Sequence, residues 1–64
     1  MHLYKAMPHR ELPKSVPTDR LVALYRVSPR GMLGSWYEWE DTRTGERGKM
    51  NAKHLKHFKL IAIS

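Results

Sequence analysis

The chain contains no cysteine. That absence excludes disulfides, thiolate-ligated metal centres and a cysteine nucleophile together. It also suits a reducing compartment, and a cytoplasmic location is the expectation. Long apolar runs are missing too. The longest strictly apolar stretch, LVALY, has five residues, against about 20 for a membrane-spanning helix. The opening residues MHLYKAMPHRELPK lack the apolar centre of an export signal. Acids are scarce, with six Asp and Glu against twelve Lys and Arg, a net charge of +6 and a pI of about 10.1. No nucleophile elbow, catalytic triad pattern or Gly-rich phosphate loop before a helix occurs. An enzyme is not expected, and neither is a cofactor.

What is present fits one small folded unit. Sixty-four residues make a single domain, 1–64. A core of that size contributes no more than about 3–5 kcal/mol unless something staples it. The hydrophobic fraction of 41% is above that of disordered chains. Charge is uneven along the chain. Glu38, Glu40, Asp41 and Glu46 sit together, and from Arg47 onward come Arg47, Lys49, Lys53, Lys56 and Lys59 with His54 and His57. A pI above about 9 on a small domain favours a polyanionic partner, with a merely solvated basic surface as the plain alternative.

Prolines at 8, 13, 17 and 29 and glycines at 31, 34, 45 and 48 leave little room for a helix. Residues 5–19 read as an irregular loop carrying three prolines. Leu21–Val27 reads as a strand. In 36–41, Trp36, Glu38 and Glu40 point one way and Tyr37 and Trp39 the other. TRTGE makes a tight turn with Gly45 at positive φ, and Arg47–Asn51 returns as the partner strand. AKHLKHF allows one short 3₁₀ turn before a closing strand, Phe58–Ile63. Short strands separated by turn residues predict an all-β fold.

The stretch GSWYEWEDTRTGERGKMNAKHL resembles the C-terminal half of an SH3 domain, which reads W-W-E-A-R, a turn with T-G, then E-x-G-Y-I-P-S-N-Y-V. HLYKAM looks like that family's A-L-Y-D-Y opening strand, and ELPKSVPTDRLVAL resembles the segment that closes its long loop. The resemblance implies a small five-stranded SH3-like barrel, with a long Pro-containing loop and one short 3₁₀ turn. It places Met50 and Leu55 inward and Gly48 at a close strand approach. Trp39 stands where the family has a small core alanine, and Ala23 is the expected source of the space it needs.

The groove that binds proline-rich peptides in SH3 domains carries over only in part. Trp36 matches the groove tryptophan and Tyr4 a groove tyrosine, while Asn51 stands at the proline and His54 at the second tyrosine. Glu11 is nearly alone as a loop acid. A proline-rich peptide is therefore not expected as a ligand. Trp36 is either displayed to a partner or partly buried under the long loop. If displayed, it stacks a base, worth about 1–3 kcal/mol. The expected partner-binding set is Trp36, Tyr4, Arg30, Arg47, Lys49, Asn51, Lys53, His54 and Lys56. Glu38 and Glu40 read as cross-strand partners of Arg47 and Lys49. His54 and His57, with lysines beside them, are not expected to hold a metal. The function expected is a non-catalytic binding module on nucleic-acid backbone, DNA or RNA without sequence preference. The alternative is a small regulator or inhibitor docking on an acidic protein surface. Self-association through Phe58–Ile63 is a third possibility.

Overall fold

The ring–acid alternation of residues 36–41 becomes a strand, and four others join it in one sheet. The computed structural model describes residues 1–63. In chain order the elements are β1 (His2–Ala6), β2 (Val22–Val27), β3 (Trp36–Asp41), β4 (Arg47–Asn51), a 3₁₀ helix (Ala52–His57) and β5 (Phe58–Ile63). All pairings are antiparallel, in the order β4-β3-β2-β1-β5. The all-β reading and the strands β3, β4 and β5 stand as expected, and β2 begins one residue later.

The SH3-like barrel does not form. β4 and β5 are the two edges of an open sheet, and among the described residues no register pair joins them. A barrel removes its edges by closing on itself, and here the two outermost strands stay unpaired with each other. The resemblance to SH3 domains is corrected accordingly. Local patterns specify strands and turns, whereas closure depends on pairing between strands remote in sequence. The apolar face is instead covered by the long loop and the helix. Val16 and Leu12 come from the loop and Leu55 from the helix, packing with Ala6, Val22, Trp39 and Met50.

Trp39 is the largest fully buried side chain. Its register partner across β3–β4 is Gly48, and a Cβ at that position would lie 2.6 Å from the indole Nε1 and 2.7 Å from Cε2. The glycine makes the room. Ala23 does not, contrary to expectation. It is buried but lies outside the Trp39 cluster, because Leu24 is the residue paired with Trp39 and its neighbour faces the other side.

Asp41 ends β3 and organises the turn. Its Oδ1 accepts the Arg43 N–H at 2.9 Å and the Thr44 N–H at 3.4 Å. Its Oδ2 accepts from the Arg20 guanidinium at 3.2 Å. Gly45, at φ 81°, lets its N–H reach the Asp41 carbonyl at 2.7 Å.

Candidate functional site

Antiparallel register places the outward charges of β3 and β4 opposite one another. Glu38 faces Lys49 and Glu40 faces Arg47. The Arg47 guanidinium lies 3.3 Å from Glu40 and 3.8 Å from Glu38, and the Lys49 ammonium 3.7 Å from Glu38. The expected cross-strand pairing is present, and it neutralises two of the cations assigned to the partner-binding set.

Trp36 is half-buried, and its indole N–H donates to the Leu33 carbonyl at 2.8 Å. Its row across the sheet is Val27–Trp36–Asn51. Tyr4 lies in the row of Val22 and Asp41. Five positions along β2 separate the two rows, so Tyr4 and Trp36 stand on opposite faces. Tyr4 packs against the core, and the shared aromatic groove implied by the family resemblance is not assembled. Asn51 caps the 3₁₀ helix, its Oδ1 accepting the Lys53 N–H at 3.0 Å. Arg30 is exposed on the loop between β2 and β3.

His54 departs most from expectation. It is only 9% exposed, turned toward the protein and not out on the surface. Burial holds its imidazole below the usual value, with repulsion from Lys53 and His57 adding to the effect and Glu11 opposing it. A lowered folded value means that neutral His54 contributes stability in full above roughly pH 6.5. That contribution is lost as pH falls through the lower folded value. Thermal midpoints are expected to drop on acidification from neutral pH, and less so in His54→Gln. An undiminished drop in that variant would locate the titration elsewhere.

Three cations without a carboxylate partner among the described residues, Lys5, Lys53 and Lys59, lie on β1, the helix and β5. Lys5 on β1 and Lys59 on β5 are direct register partners, a like-charge arrangement that costs stability in a sheet. The Met7 N–H continues the pairing to the His57 carbonyl at 2.7 Å. This brings the long loop against the helix that carries Lys53 and Lys56. Glu11 from the loop lies 3.7 Å from the Lys56 ammonium and 3.4 Å from His57 Nε2. The Lys56 charge, followed by contact with His57, draws the Glu11 carboxyl below its usual value.

Sequence reasoning missed Lys5, and it missed the meeting of His9, Glu11 and His57. Neither has a local signature. Lys5 matters only through its partner on β5, and 46 positions separate His57 from Glu11. No family model, curated protein or solved structure matches this chain. Among the described residues, no helix is long and apolar enough to cross a membrane.

Proposed function

We propose that the protein is a small cytoplasmic, non-catalytic binding module whose cationic β1–β5–helix flank engages nucleic-acid backbone. The observation that carries the reading is where the ion pairs go. Among the described residues, four cations, Arg20, Arg47, Lys49 and Lys56, make every Lys or Arg contact to the six acids. Eight of the twelve Lys and Arg are thus without a carboxylate partner among the described residues. Two of them, Lys5 and Lys59, face each other across paired strands. A phosphate chain running along that flank relieves the repulsion, and counterion release supplies affinity without base readout. Trp36 shares the outward face with Glu38 and is not needed in this reading.

The test is fluorescence anisotropy with random-sequence duplex DNA and single-stranded RNA, at 50 and 200 mM salt. Neutralising five phosphates gives log K a slope of about −4 to −5 against log salt on duplex. Lys53→Glu/Lys59→Glu is expected to weaken binding at least about tenfold. Lys59→Glu turns a repulsive cross-strand pair into an attractive one, so lost binding in that variant is not lost folding. Affinity weaker than about 100 μM at low salt, some 5.5 kcal/mol, would end the nucleic-acid reading.

A second reading has its own observation. β5 is an edge strand, and its Leu60, Ile61 and Ile63 are 44%, 48% and 68% exposed. Unpaired edges with apolar side chains invite strand addition, either by a protein partner or by a second copy. The same cations would then steer docking toward an acidic protein surface. Light scattering over a hundredfold concentration range separates self-association from a monomer.

A further inference from the structure

The loop and the helix meet at three ligand-type side chains that the binding reading leaves unused. His9, Glu11 and His57 each offer one ligand atom, all within 4.8 Å of one another. Glu11 Oε1 is 3.4 Å from His57 Nε2 and 3.7 Å from His9 Nδ1. Donor atoms on a tetrahedral cation with bonds of about 2.0–2.1 Å are about 3.3 Å apart. Two edges of the triangle are therefore close to that spacing already, and the third closes only when one of the two rings turns.

The donors differ in how ready they are for an ion. His57 Nε2 is buried and makes no well-formed hydrogen bond; its polar neighbour is the Glu11 carboxylate at 3.4 Å. His9 Nδ1 accepts the Glu11 backbone N–H at 3.1 Å, a bond that must give way before that nitrogen can bind an ion. The His9 and His57 rings stack with centroids 4.0 Å apart and 23° between planes, so binding one ion requires the exposed His9 ring to turn until both in-plane lone pairs converge. Among the described residues, Lys56 Nζ, 3.7 Å from Glu11, is the Lys or Arg cation competing for the carboxylate. Its side chain is 66% exposed, free to swing into solvent when another cation arrives.

We propose that His9, Glu11 and His57 form a divalent transition-metal site of the zinc class, tying the long loop to the 3₁₀ helix. Two imidazoles with one carboxylate suit zinc and its neighbours, and they suit magnesium or calcium poorly. Three protein ligands leave a fourth position for water. The bound ion takes the place of the Lys56 ammonium as counter-charge to Glu11. It staples segments 46 positions apart in a chain that has no cysteine to do so.

The experiment is thermal unfolding and calorimetric titration of the full chain with zinc chloride. The same measurements are made with magnesium chloride and on the variants His9→Ala, Glu11→Gln, Lys56→Ala and His2→Ala. One zinc per chain is expected, with a rise in Tm of at least about 5 °C near a hundredfold excess over Kd and none with magnesium. His9→Ala and Glu11→Gln, both at exposed positions, should abolish that rise. Lys56→Ala should tighten zinc binding severalfold, and His2→Ala should leave it unchanged. The proposal is overturned by no saturable zinc response, by an equal response to magnesium, or by a response that survives both His9→Ala and Glu11→Gln.

Discussion

Gly48→Ala is expected to lower the unfolding free energy by about 1–3 kcal/mol. A methyl group at that position would sit 2.6 Å from Nε1 and 2.8 Å from Cζ2 of Trp39. That indole is 2% exposed and packed in the central cluster, so it has nowhere to retreat without opening the core. Overpacking of this kind costs about 1–3 kcal/mol. For a domain whose core supplies about 3–5 kcal/mol, that is a large share of the total. The fold-change is checked by urea unfolding followed through tryptophan fluorescence. A companion variant identifies the cause. Gly48→Ala/Trp39→Leu should be more stable than Gly48→Ala, although Trp39→Leu alone is destabilising, because the smaller side chain accepts the methyl. Strict additivity of the two substitutions would mean that the indole and the glycine do not compete for the same space.

Asp41→Ala is the second substitution with a large expected effect. The carboxylate is 1% exposed and holds three donors from two parts of the chain, the turn N–H groups of Arg43 and Thr44 and the Arg20 guanidinium. Removal leaves the β3–β4 turn without its organiser and detaches the long loop at Arg20. A fall in Tm on the order of 10 °C is expected. The pH dependence carries the same signature. The Arg43 N–H, with Arg20 and Thr44, holds the Asp41 carboxyl below its ordinary value, against the opposing effect of burial. A depressed folded value means that stability is fully present above roughly pH 4. It is lost as pH falls through the lower folded value. The Tm difference between the protein and Asp41→Ala should therefore narrow on acidification below about pH 4. A difference that stays constant down to about pH 2 would show that the carboxylate's charge is not what the turn relies on.

Parts of the site were legible and parts were not. The pairing of Glu38 and Glu40 with Lys49 and Arg47 followed from alternation and turn length, both local quantities. The lysines on either side of His54 suggest a place on the partner-binding face. In a 3₁₀ helix, however, neighbouring side chains point in different directions, and His54 turned inward while Lys53 and Lys56 stayed in water. The aromatic groove failed for a related reason. Tyr4 and Trp36 each occupy a plausible strand position, yet the register of β1 on β2 puts them on opposite faces. A shift of one residue in that register would have reversed the outcome.

The amino-acid order by itself determined the strand positions, the tight turn at Gly45 and the surplus of positive charge. Each depends on neighbours within a few residues, through side-chain alternation, permitted φ and simple composition. Only the tertiary structure decided that the sheet stays open, that Gly48 rather than Ala23 accommodates Trp39, and that Lys5 meets Lys59. It also decided that His9 and Glu11 reach His57. These outcomes depend on which distant segments share a register and which loop covers the apolar face. Such choices are settled by packing the whole chain at once, and no local window of the sequence carries them.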